Sequence, residues 1–179
     1  MATNRRRVLT GIVASGTLAG LLPAAAAEAA VGVAPVVGRI DRILVFKRKR
    51  TLMLMQDDQV VRTFRIALGR EPRGTKQREG DGRTPEGTYF IDGRNAESEF
   101  YRSLKISYPD AADRARARER GMRPGGLIMI HGLDPAIQAK WRGDHWMFNW
   151  TRGCIAVTNA EMDVIWNAAG MGTPVEIHP

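Results

Sequence analysis

Ile40-Asp41-Arg42-Ile43-Leu44-Val45-Phe46, Thr51-Leu52-Met53-Leu54-Met55-Gln56 and Gln59-Val60-Val61-Arg62-Thr63-Phe64-Arg65-Ile66-Ala67-Leu68 are three consecutive strand-like runs. Each mixes branched and long apolar residues with alternating polar ones, the period-two signature of half-buried strands. The basic run Lys47-Arg48-Lys49-Arg50 and the acidic pair Asp57-Asp58 fall where turns belong. The three runs therefore predict an antiparallel meander. The four basic charges at the first turn are expected to be solvated.

Downstream, residues 71–87 are rich in glycine, proline and charge and read as one long loop. It ends Gly80-Asp81-Gly82-Arg83-Thr84-Pro85-Glu86-Gly87, where three glycines in the first eight-residue frame imply unusual dihedrals or close backbone approach. No Gly-Lys-Ser/Thr ending leads into a helix, so this is not a phosphate loop. Short strands are predicted over 88–91 and 104–108, and a charge-dense helix over 110–120 capped by Asp110 and stopped by Gly121. Pro124-Gly125-Gly126 introduces the apolar run Leu127-Ile128-Met129-Ile130, a central strand delivering His131-Gly132 at its end. A helix over 159–169 follows, with Thr158 and Glu161 forming a capping box, and a strand over 174–177 closes the chain.

The N-terminus has the layout of an export signal: Arg5-Arg6-Arg7, a diluted apolar middle to Leu22, then Ala27-Glu28-Ala29-Ala30. The arginine pair followed by Val8-Leu9 resembles the twin-arginine signal, although Thr10 stands where lysine is usual. Residues 1–30 are therefore expected to be removed on export, 31–38 to be a short linker, and 39–178 to form one domain. The apolar middle is too short to anchor the protein in a membrane. Within 179 residues there is a single cysteine, which excludes an intrachain disulfide framework, and three histidines, which makes a structural zinc site a poor fit. The net charge of +8 favours polyanionic surroundings. No recognition helix or aromatic stacking platform accompanies it, so no nucleic-acid partner is expected.

The chemistry concentrates in Trp150-Thr151-Arg152-Gly153-Cys154-Ile155-Ala156-Val157-Thr158-Asn159. A lone cysteine in an oxidising compartment has no structural partner, and a nucleophilic thiol needs a base. Arg152 supplies nearby positive charge, the Gly153 and Cys154 amides are candidates for an oxyanion hole, and His131 is the one histidine at a strand end. Taken singly, Cys154 reads as a small buried hydrophobe and His131 as a core imidazole.

Taken together, the glycine-rich run 80–87, then Ile130-His131-Gly132, then Thr151-Arg152-Gly153-Cys154 resemble the L,D-transpeptidase catalytic domain family (YkuD type), over about residues 39–178. The resemblance implies a mostly β fold with a few short helices, an antiparallel sandwich-like α+β domain. It implies acyl transfer on peptidoglycan stem peptides with no metal or organic cofactor. Cys154 would be the nucleophile and His131 the base; the Gly132 carbonyl would orient the imidazole and Thr151 would support the site. Many members carry histidine where Arg152 stands and arginine where Ala156 stands. The Cys-Ile-Ala-Val-Thr-Asn wording resembles a subgroup in which cross-links or wall-attached proteins are also cleaved.

The long interval between His131 and Cys154 holds Trp141, His145, Trp146, Phe148 and Trp150. It forms either a lid over the cysteine or ordinary core. Trp146 and Trp150 are candidate substrate contacts, Arg142 a candidate carboxylate ligand, and His145 reads as a solvated loop residue. The expected protein is a monomeric exported acyltransferase. A hydrolase of cross-links or protein attachments, and a non-catalytic wall-binding module, remain as alternative readings.

Overall fold

The computed structural model describes Met1, residues 36–141 and residues 143–179. The predicted signal, most of the linker and Arg142 lie outside the described residues. The described residues from 36 onward belong to one compact unit.

The meander forms as the alternation demands: β1 (Arg42–Phe46), β2 (Thr51–Gln56) and β3 (Gln59–Arg65) pair antiparallel in sequence. The two-residue turn between β2 and β3 is Asp57-Asp58, both in the left-handed region (φ 47° and 60°). That twist suits a tight hairpin, and aspartate tolerates it better than most residues. In β1 only alternate residues, Ile43 and Val45, are buried.

The chain continues through β4 (Gly87–Ser98), β5 (Tyr101–Ile106), α1 (Ala111–Glu119), β6 (Met129–His131), α2 (Pro135–Trp141), β7 (Ile155–Ala156), α3 (Asn159–Ala168) and β8 (Pro174–His178). The eight strands make one sheet in the order β3-β2-β1-β8-β4-β5-β6-β7. All pairings are antiparallel except β1 with β8 and β6 with β7. The strand predicted over 88–91 is twelve residues long because β4 serves two partners. Gly87 to Phe90 pair with β8, and from Ile91 the strand pairs with β5 through two register shifts. Those bulges accommodate the polar stretch Asp92-Gly93-Arg94-Asn95.

The ends of the sheet are joined. Beyond β3, Ala67 and Ala156 exchange both backbone bonds (2.9 and 3.0 Å), and Arg70 N–H donates to the Thr151 carbonyl at 3.1 Å. The segment after β3 thereby covers the outer edge of β7, and the sheet's inner faces meet around one core. Ile43, Leu54, Tyr89, Ile91, Leu104, Ile130, Ile155 and Val175 meet there, fully buried. α3 adds Met162, Ile165 and Ala168 to the same core, and its Thr158–Glu161 capping box is present. α1 is capped reciprocally by Asp110 and Asp113.

Candidate active site

β6 and β7 run side by side in parallel, with Ile130 opposite Ile155 and His131 opposite Ala156. Cys154 immediately precedes β7, so by register it lies beside Met129, two residues before His131 on the neighbouring strand. The Cys154 thiol donates to the Leu127 carbonyl at 3.5 Å. Leu127 itself holds φ 54°, a costly conformation for a leucine, with its side chain exposed. The turn before the cysteine is tied by Thr151. Its hydroxyl donates to the Cys154 carbonyl at 2.7 Å and accepts from the Gly153 N–H at 3.1 Å. Burial pushes the Cys154 thiol above its ordinary pKa, against a backbone hydrogen bond from Met129 and the charge of Lys76. The resting group is therefore a thiol, and any nucleophilic role would require a base to take its proton.

His131 is 4% exposed, and its Nδ1 lies 2.7 Å from the Gly132 carbonyl. A carbonyl can only accept, so Nδ1 carries the proton and Nε2 presents a lone pair. Burial lowers the pKa to about 4, outweighing the Gly132 hydrogen bond and the charge of Asp134. The ring is thus neutral at pH 7. Gly132 is sterically obligatory: a Cβ there would sit 2.5 Å from Asn159 Oδ1, the same oxygen that accepts from Leu133 N–H at 2.7 Å.

The glycine-rich loop reaches this site through close backbone approach. A Cβ on Gly69 would lie 2.9 Å from Gly153 Cα, and one on Gly153, at φ 125°, would lie 2.5 Å from the Arg83 carbonyl. Three segments therefore touch around Gly153. The loop is organised by Asp81, whose carboxylate accepts from Gln77 N–H (2.8 Å), Arg78 N–H (3.1 Å), Arg83 N–H (3.1 Å) and Lys76 Nζ (2.8 Å). Burial pushes Asp81 upward, but these donors together hold it below its ordinary pKa. Lys47, expected to be solvated, is instead buried beneath the loop and donates to Gly74, Thr84 and Glu86. A cation with three oxygen partners can be buried where an unpaired one cannot.

The aromatic insert divides. Trp150 packs edge-on to His131 at 5.8 Å between ring centres, with Phe100 on the same imidazole at 4.7 Å. Trp141 joins Trp150 at 5.9 Å and stacks on Phe148 at 5.0 Å. Trp146 goes elsewhere, under the Arg65 guanidinium at 5.0 Å, while its carbonyl accepts from Arg50 at 2.9 Å. His145 is not a solvated loop residue: it is buried in a 3-10 turn (Asp144–Met147), neither ring nitrogen has a partner, and burial drives its pKa down to about 4. Apolar neighbours of a short helical turn gave no periodicity from which this burial could be read. Arg152 is exposed beside Gly153, and Ala156 is fully buried against Ala67 and Leu133. Phe100, Leu127, Lys76 and Arg70 escape sequence reasoning, because only the folded chain brings them to the cysteine.

The L,D-transpeptidase catalytic domain family, YkuD, matches residues 40–177. The chain belongs to this family. It is 33% identical over 131 residues to YafK of Escherichia coli (strain K12), whose name assigns it to the L,D-transpeptidases, covering 69% of this chain and 45% of that protein. The chain thus spans about half the length of the curated relatives it matches. Among solved structures, the fold resembles the helical cell shape determining protein Pgp2 of Campylobacter jejuni (TM-score 0.57, 23% identity, 78% of this chain and 48% of that one). It also resembles Bd1075 of Bdellovibrio bacteriovorus (TM-score 0.55, 21% identity, 78% and 48%).

Proposed function

We propose that this chain is an exported cysteine acyltransferase acting on peptidoglycan stem peptides. The observation that carries the reading is the His131 Nδ1 to Gly132 carbonyl bond of 2.7 Å, which leaves Nε2 unprotonated beside the strand that delivers Cys154. In this reading His131 Nε2 takes the thiol proton as Sγ attacks the carbonyl of a diaminopimelate-type residue, and the S–C bond forms. The Cys154 N–H, without an acceptor among the described residues, faces the developing oxyanion, and the Gly153 N–H joins it by leaving Thr151. The tetrahedral intermediate collapses with cleavage of the C–N bond, and imidazolium returns the proton to the departing amine. An acceptor amine then attacks the thioester to give a cross-link or protein attachment, losing its proton to His131 as the thiolate leaves and is reprotonated.

Water in place of the amine gives hydrolysis. A non-catalytic wall-binding role would require neither the thiol nor an imidazole held in one tautomer. The arginine-rich N-terminus supports export by the twin-arginine route, and the positive charge suits an anionic wall. The test is incubation with purified muropeptides and a carbapenem, read by chromatography and intact mass. Cross-linked or released peptide and a carbapenem adduct are expected for the native protein and neither for Cys154→Ala. Turnover by purified Cys154→Ala would sink the assignment.

A further inference from the structure

Beside the nucleophile lies a cavity of about 540 Å³ lined by Arg70, Lys76, Glu79, Gly80, Gly126 and Arg152. Its neighbourhood to the thiol is fixed by covalent connection on two walls. Arg152 is two residues from Cys154, and Gly126 adjoins Leu127, whose carbonyl receives the thiol. The close approach of Gly69 to Gly153 sets Arg70 alongside Arg152. Two of the charges are neutralised locally: Lys76 is paired with Asp81 at 2.8 Å, and Glu79 faces Arg123 at 3.6 Å. Arg70 and Arg152 make no side-chain hydrogen bond or ion pair among the described residues. The cavity therefore carries two free guanidinium groups over glycine backbone that leaves room for a ligand.

Two unpaired arginines converging on one cleft suit a carboxylate, which they can hold by charge-assisted, two-point bonding. Resting on the function proposed above, we propose that Arg70 and Arg152 form the subsite for a free carboxylate of the donor stem peptide, flanking the carbonyl that Cys154 attacks. Ala156, buried in the sheet closure, has no access to substrate, so the carboxylate is gripped from the loop side of the nucleophile. A diaminopimelate-type residue has a second carboxyl group beyond the one in the scissile bond, and its peptide ends in another. Either would enter this cleft as the carbonyl meets the thiol.

The test has two arms. In the first, donor tetrapeptide with its carboxylates free, or with each amidated in turn, is titrated into Cys154→Ala protein carrying Arg70→Gln, Arg152→Gln or both. Each single change is expected to weaken the free acid about tenfold, with the double change weaker still, while the donor amidated at the gripped position binds poorly to all and does not respond. Equal loss for free and amidated donors, or no loss in the double variant, overturns the subsite. In the second arm Cys154, the chain's one cysteine, is alkylated with iodoacetate and with iodoacetamide. Their rate ratio cancels any change in thiol reactivity and is expected to fall several-fold in the double variant; an unchanged ratio refutes the anion site. Should no peptide bind and no carbapenem label Cys154, the functional reading fails, and the alkylation ratio alone still decides the subsite.

Discussion

Replacing Lys47 by methionine tests whether the loop against Gly153 is held from below by one buried cation. Lys47 Nζ donates to the Gly74 carbonyl (2.7 Å), the Thr84 carbonyl (2.9 Å) and Glu86 Oε1 (2.8 Å), and its side chain is 2% exposed against 22% for Glu86. Burial lowers the ammonium's pKa, and Glu86 opposes that shift. Removing one partner of a buried ion pair costs about 3–5 kcal/mol. The partial exposure of Glu86 lets water recover some of this, and methionine fills the vacated stem volume. A net loss of about 3 kcal/mol remains, mostly from the two stranded carbonyls and the carboxylate. At about 2–4 °C per kcal/mol for a domain of this size, the melt should fall by about 6–12 °C. Glu86→Gln keeps an acceptor in place and should cost about 1 kcal/mol. The same loop sets the Arg83 carbonyl against Gly153, so carbapenem acylation of Cys154 should slow in Lys47→Met well below the melt. Circular dichroism and intact mass measure both. A Lys47→Met melt within about 2 °C of native, with acylation unchanged, would refute the reasoning.

Thr151→Val removes both bonds that shape the turn before Cys154, so acylation should drop about tenfold or more in stopped-time mass spectrometry while the closed sheet keeps its melt. The folded pKa values of His131 and His145, both about 4, lie below the ordinary 6.5, so the unfolded chain protonates first on acidification. Their contribution is complete above about pH 6.5 and is lost toward pH 4, costing about 2 kcal/mol per histidine by pH 5. His145→Leu should therefore raise stability, since it buries no unpartnered nitrogen, and roughly halve that histidine-linked acid loss in denaturant titrations at pH 8 and pH 5. An unaltered pH dependence would count against its burial. Ala156→Arg should yield little folded protein, because the side chain would enter the sheet closure opposite Ala67; a soluble variant melting like the native chain would show that this position has room.

The strand meander was legible because period-two alternation is a local property, and the capping boxes at Asp110 and Thr158 because they need only residues three apart. Cys154 and His131 were singled out by motif wording, and the placement of His131 at a strand end follows from the apolar run before it. What escaped depends on partners distant in sequence. Lys47 looks like its three exposed-looking basic neighbours until residues 74–86 fold over it. β4 looks finished at Ile91 until β5 pairs with its polar half. Sheet closure through Ala67 and Ala156 leaves no signature, because alanine is neutral in every pattern. Trp146 and Trp150 are indistinguishable by type, yet one meets Arg65 and the other His131.

The site's geometry is a consequence of how its loop is neutralised. A glycine-rich loop that must press its carbonyls against Gly153 cannot be stabilised by apolar burial, because it has few side chains to bury. Two buried lysines supply the alternative: Lys47 gathers carbonyls and Glu86 below, and Lys76 gathers the Arg78 carbonyl and Asp81 above. Asp81 in turn collects three backbone N–H groups, so each lysine organises main chain as well as charge. Of the charged residues lining the cavity beside Cys154, Arg70 and Arg152 are the two without an ion pair among the described residues. The fold thus separates buried cations that organise main chain, Lys47 and Lys76, from the exposed Arg70 and Arg152 near Cys154. The exposed pair is open to a ligand because the cations beneath it already have their partners.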